Sequence, residues 1–143
     1  MRTRVLDLDG SLAPQAEFLG LTDRVSARDW GPRLRLACGF GTFRRFRGWL
    51  GPESGGPAVT FYGSGDFHHV TLALLERLAG PFNLLILDGH PDWMRGIPFL
   101  HCGTWLHHAL RLPGLRRAFH CGGERDFDNG YHSLAPWPEI RDG

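Results

Sequence analysis

Apolar residues recur along this chain in short blocks divided by Gly, Pro, Asp and His, and the spacing within each block predicts its element. Val5-Leu-Asp-Leu-Asp9 predicts a short strand ending at Gly10. Between Trp30 and Leu50 the pattern is mixed. Leu34, Leu36, Phe40, Phe43, Phe46 and Trp49 fit one helical face, but glycines interrupt it. Gly51-Pro-Glu-Ser-Gly-Gly-Pro57 is a loop, because Gly and Pro break both periods. Ala58-Val-Thr-Phe-Tyr62 is β-branched and aromatic, which predicts a strand. Val70, Ala73, Leu74 and Leu78 recur at helical spacing, predicting a helix from Val70 to Ala79 that Gly80-Pro81 stops. Asn83-Leu-Leu-Ile-Leu87 is unbroken, the signature of a parallel strand covered on both faces. Thr104 to Leu112 predicts another helix and Arg117-Ala-Phe-His-Cys121 another strand.

Strands alternating with helices imply an α/β fold: three layers, α/β/α, around a mainly parallel sheet with right-handed crossovers. In such sheets functional groups gather beyond the carboxyl ends of the strands. Gly63 to His69, Asp88 to Asp92 and Gly122 to Asp128 each follow a predicted strand, so three His/Asp-rich loops are expected along one sheet edge.

Composition narrows this picture. A chain of 143 residues suits a single domain spanning residues 1–143. At that length it can bury roughly 68% of its unfolded surface. With 42% hydrophobic and 22% charged residues, it reads as globular. It holds no apolar run of transmembrane length, and Met-Arg-Thr-Arg lacks the apolar stretch of a signal peptide, so no membrane association and a cytoplasmic location are expected. A net charge of +1 points to no polyanion, and no nucleic acid partner is expected. All sixteen basic residues are arginine, which excludes a Walker-type or Schiff-base lysine. Cys38, Cys102 and Cys121 show no metal or disulfide spacing and read as buried free thiols.

The candidate chemistry centres on Asp88-Gly-His90-Pro-Asp92. In an extended segment alternate residues face one side, which would aim two carboxylates and an imidazole into one pocket. That donor set suits manganese, iron or zinc better than calcium. A polar turn, with Asp88 capping a helix, is the alternative. His68 or His69 would add a ligand from the neighbouring loop. His101 has the chemistry of a proton shuttle, whereas His107 and His108 fall in a predicted helix and read as structural or solvated.

These loops resemble the arginase/agmatinase (ureohydrolase) family. Gly65-Asp-Phe-His68-His-Val-Thr-Leu72 is similar to its Gly-Gly-Asp-His-Ser-Val-Thr-Leu segment, whose histidine binds the first manganese. Asp88-Gly-His90-Pro-Asp92 is similar to Asp-Ala-His-x-Asp, in which all three polar residues are ligands. Leu100-His101 with Gly103 resembles the His-Gly whose histidine assists catalysis. Gly123-Glu-Arg-Asp126-Phe-Asp128-Asn-Gly resembles the Gly-x-Arg-Asp-x-Asp-x-Gly loop, which makes Asp126 and Asp128 substrate-binding candidates. The resemblance implies two Mn²⁺ per site, with Fe²⁺ or Zn²⁺ as alternatives. It also implies a small-molecule substrate hydrolysed at a guanidino, amidine or amide C–N bond, while a homo-oligomer is the partner expected if missing strands leave an exposed sheet edge.

The sequence also departs from the family. Its Ser-x-Asp-x-Asp-x-x-Asp-Pro motif does not occur here, so the domain is expected to be incomplete at the C-terminus, with half of the two-metal ligands and weak activity alone. The segment from Asp92 to His101 is short and lacks the Asn and Ser that grip the amino acid end of arginine, which argues against that substrate. Phe67 stands where the family has an acid. Three other readings compete. One is a non-catalytic arginase-like scaffold or oligomer subunit. Another is a haloacid-dehalogenase-like phosphatase, because Asp7-Leu-Asp9-Gly resembles that family's nucleophile motif. The last is a single-stranded nucleic acid surface built from Arg33, Arg35, Arg44, Arg45 and Arg47 with Phe43, Phe46 and Trp49.

Overall fold

A computed structural model describes residues 1–53, 58–95 and 98–122. Strand β1 (Arg2–Asp7) pairs in parallel with β2 (Arg24–Ser26) on one side and β4 (Ala58–Tyr62) on the other. Strand β5 (Phe82–Leu87) pairs in parallel with β7 (Leu115–Cys121). The two-residue strands β3 (Ala37–Cys38) and β6 (Leu100–His101) form an antiparallel bridge. The chain is therefore mixed α/β with small parallel sheets. Among the described residues β4 and β5 are not paired, so the parallel strands fall into two half-sheets.

One apolar cluster joins the halves. Leu6 and Leu8 from the first half-sheet and Ile86 from the second share it with three helices. These are α3 (Phe40–Leu50), α4 (Val70–Leu75) and α5 (Trp105–Ala109), which bury Phe43 and Phe46, Val70, Leu72 and Ala73, and Trp105, Leu106 and Ala109. Two further short helices, α1 (Ala13–Phe18) and α2 (Gly31–Leu34), each carry a proline in the first turn, where its missing N–H has no intrahelical partner to lose.

The structure corrects several expectations. The stretch 30–50 is two helices, not one face. Leu36 takes a left-handed backbone (φ 63°), and Gly39 is extended before α3, so the helical period restarts at Phe40. Leu36 is accordingly 58% exposed rather than in the core. The helix from Val70 ends at Leu75 and continues only as single turns to Leu78. β5 is covered on one face only by the described residues, since Leu85 and Leu87 are exposed, as is Phe119 beside them on β7. Of the three free cysteines only Cys38 is buried; Cys102 is half-buried and Cys121 exposed. No helix among the described residues is long and apolar enough to cross a membrane.

Candidate metal centre

His68 reaches the surface because its neighbours do not. After β4 the chain turns at Gly63 (φ 40°), where a Cβ would lie 2.5 Å from the Phe67 ring. Phe67 is fully buried at the end of a single 3-10 turn (Gly65–Phe67), and His69 is fully buried at the start of α4. His68, between them, projects half-exposed beyond the strand end. The turn is clipped from behind by Cys102, whose Sγ lies 3.2 Å from the Asp66 carbonyl oxygen, 3.5 Å from that of Gly65 and 3.7 Å from His69 Nδ1.

Asp88 and Asp92 come from the loop after β5. The Asp88 N–H donates to the Cys121 carbonyl (3.2 Å), extending the β5–β7 ladder by one rung. Gly122 allows this close approach, since a Cβ there would sit 2.4 Å from the Asp88 carbonyl oxygen. The chain then doubles back. The His90 N–H donates to Asp88 Oδ1 (3.0 Å), and the His90 carbonyl accepts from His120 Nε2 on β7 (2.9 Å). Asp92 has a left-handed backbone (φ 52°), and its carboxylate is buried, with Oδ2 accepting from the Trp105 indole (2.7 Å).

The two loops converge. His68 Nδ1 lies 3.3 Å from Asp88 Oδ2 and 3.4 Å from Asp92 Oδ2. The three side chains place one potential ligand atom each within 4.8 Å of one another. Ligand atoms held about 2.1 Å from a cation stand roughly 3.0 Å apart at octahedral angles and roughly 3.4 Å apart at tetrahedral ones. The spacing thus suits a small divalent ion, and the nitrogen-plus-carboxylate set suits a transition metal. The hydrogen bond from His68 to Asp92 raises the imidazole pKa. Partial burial opposes this, and the negative charge of both aspartates adds to it.

His90 stands apart from this trio. Its side chain is 71% exposed, and its Nδ1 lies 3.5 Å from Asp88 Oδ1, the oxygen turned away from His68. Alternate-residue geometry does not apply, because the segment is a turn and not a strand. Asp88 therefore faces two ways, with Oδ2 toward His68 and Oδ1 toward His90.

His101 ends β6, half-buried. Its Nδ1 accepts from the Gly103 N–H (3.0 Å), and its own N–H donates to Thr104 Oγ1 (3.0 Å), a reciprocal cap on the turn before α5. The histidine expected to be catalytic thus has one ring nitrogen committed to the backbone. Asp126 and Asp128 lie outside the described residues. Burial lowers the pKa of both His107 and His108 on α5, and Arg111 contacts His107, in line with structural roles. Sequence reasoning missed Trp105 and His120, which hold the loop from behind. The one available signal was that a buried indole N–H normally needs a partner.

The rival sites fare differently. Both Asp7 oxygens are engaged, one by the Gly10 N–H (2.8 Å) and one by Arg28 (2.8 Å). Asp9 accepts from Ser11 and lies 3.6 Å from Arg35. These contacts staple the turn that follows β1. Phe43 and Phe46 are buried, so they offer no base-stacking surface, and Arg47 pairs with Glu76 at 2.9 Å. A cavity of about 600 Å³ lies among α3, α4 and α5, floored by Phe40, Phe43, Leu72 and Leu75. Its acid, Glu76, is the partner of Arg47. A smaller recess of about 190 Å³ adjoins His68 and Asp88, between Tyr62 and Thr71 on one side and Leu84 to Leu87 on the other. The candidate ligands His68 and Asp88 line the smaller one.

No family description matches the chain, and no solved structure matches it. A segment of 57 residues is 42% identical to an uncharacterized protein of Thermotoga maritima. That match covers 40% of this chain and 23% of the Thermotoga protein.

Proposed function

We propose that the chain carries half of a binuclear metal-hydrolase centre of the arginase type, built on a three-layer α/β/α frame and acting on a C–N bond of a small molecule. The observation that carries this reading is the convergence of His68, Asp88 and Asp92 from two separate strand ends. The two-way orientation of Asp88 adds to it. One oxygen lies beside His68 and the other beside His90, so His68, Asp88 and Asp92, with His90 next to them, are the residues that would hold Mn²⁺ (or Fe²⁺ or Zn²⁺). A bound divalent ion supplies a water-derived nucleophile near neutral pH. The protein's own part is positioning. His68, Asp88 and Asp92 hold the charge, and the recess beside Tyr62 admits the substrate. His101, the histidine that the family resemblance makes catalytic, has Nδ1 held by the Gly103 N–H, which would leave Nε2 as the ring nitrogen able to hydrogen-bond a substrate.

Mn²⁺ retained after desalting tests the site. The wild type is expected to bind it, and His68→Ala and Asp92→Asn to lower the affinity by more than about tenfold, the smallest effect usual for even an outer contact. His90→Ala should do less, since His90 lies outside the trio. Equal metal content in all four proteins would refute the ligand assignment. A non-catalytic, interface-forming role finds support in the exposed Leu85, Leu87 and Phe119. Metal binding with no hydrolysis of guanidino or amide compounds would favour it.

A further inference from the structure

We propose that Trp105 is a positioning residue of this centre: its indole N–H fixes the Asp92 carboxylate in a one-oxygen binding pose that favours small transition-metal ions over calcium. The inference rests on the reading of His68, Asp88 and Asp92 as ligands. The geometry points to it in three ways. The indole bond is 2.7 Å long and joins two buried side chains, Trp105 at 4% exposure and Asp92 at 6%. A hydrogen bond to an ionised acceptor in such surroundings is short and strong.

The same helix turn also grips the main chain of Asp92, since the Leu106 N–H donates to the Asp92 carbonyl oxygen (3.0 Å). Side chain and backbone of one residue are thus both held by consecutive residues of α5. That double grip holds Asp92 in a left-handed conformation, which aspartate adopts more readily than most residues. Finally, α5 is itself fixed, by Leu106 and Ala109 in the core and by the His101–Thr104 cap. The carboxylate is therefore referenced to the core rather than to its own loop.

The consequence for metal choice follows from lone pairs. The indole occupies one lone pair of Oδ2 and restrains rotation of the carboxylate, which disfavours turning both oxygens onto one ion. Calcium draws on many oxygens, often from bidentate carboxylates, whereas manganese, cobalt and zinc accept one oxygen each alongside an imidazole. Outer contacts of this kind typically change metal affinity by about 10–100-fold.

The test uses Co²⁺, whose visible d–d bands report coordination geometry, together with Ca²⁺ competition, on the wild type, Trp105→Phe and Asp92→Asn. The wild type is expected to bind Co²⁺ and exclude Ca²⁺, and Asp92→Asn to lose the bands. Trp105→Phe should bind Co²⁺ about 10–100-fold more weakly, with altered band intensity and narrowed discrimination against Ca²⁺. Replacing Trp105 by β-(3-benzothienyl)alanine keeps the bicycle and removes only the N–H, so it should repeat these changes even where Phe disturbs packing. Wild-type affinity and spectrum in both Trp105 variants, with Asp92→Asn still impaired, would overturn the positioning role and leave the site standing. Absence of Co²⁺ binding by the wild type would overturn both.

Discussion

His68 and His69 are adjacent, yet their environments drive their protons in opposite directions. His68 gains a carboxylate partner, and its pKa rises. His69 is sealed between the Cys102 clip and the core, and burial pushes its pKa down to about 4, with only the Leu34 backbone opposing. A buried neutral histidine with a depressed pKa makes stability fall on acidification. The unfolded chain takes up a proton near pH 6.5 that the folded chain refuses until about pH 4. Its stabilising effect is therefore complete above pH 6.5 and declines toward pH 4, by up to about 3 kcal/mol. Urea denaturation at pH 7 and pH 5 should show that decline, and His69→Leu should flatten it. His107 leaves a residual slope of the same sign, because its pKa is also lowered to about 4. From the residues alone the sequence left open which of the two histidines was the candidate ligand, and only the family resemblance pointed to His68. Neither residue type nor spacing decides the matter, because the answer comes from Phe67 and His69 anchoring either side of the turn.

At the scale of elements, patterning succeeded where periods were clean. The strands at 58–62 and 82–87 follow from a β-branched and an apolar run, and the one at 115–121 from a shorter mixed run, with limits shifted by at most two residues. It failed at 30–50, where a left-handed leucine and a two-residue strand break the helix. No apolar count reveals such a break, because leucine is among the poorest residues for that backbone. The misfit carries its own prediction. Leu36 is largely exposed, so little apolar burial is lost on replacing it. Its N–H donates to Asp66 and its carbonyl accepts from Cys102, contacts that do not use the side chain. Leu36→Asn should therefore stabilise the protein by about 0.5–1 kcal/mol, read as a higher denaturation midpoint. A lower midpoint would show that Leu36 contributes packing. The site turn shows the same limit of sequence reading. Asp88, His90 and Asp92 look equivalent by spacing, but the hydrogen bonds from the His90 N–H and from Trp105 sort them into two inward acids and one outward imidazole.

For the whole molecule, the sequence order of strands and helices foretold mixed α/β architecture and the meeting of the first two loops. It did not foretell the division of the parallel strands into β2-β1-β4 and β5-β7, because pairing depends on edges that no single segment encodes. That division gives the centre a mechanical meaning. His68 is rooted in one half-sheet and Asp88 and Asp92 in the other, and among the described residues no ladder pairs β4 with β5. An ion gripped from both banks would act as a rivet through a joint otherwise held by side-chain packing and the short β3–β6 bridge. Melting temperature should then climb with added Mn²⁺, by the equivalent of about 2.7 kcal/mol at a hundredfold excess over the dissociation constant, and fall again with chelator. Amide exchange should slow in β4 and β5 together while α3 stays unchanged. A rivet also sets where the structure gives way when it is withdrawn: along the seam, with each half-sheet parting intact.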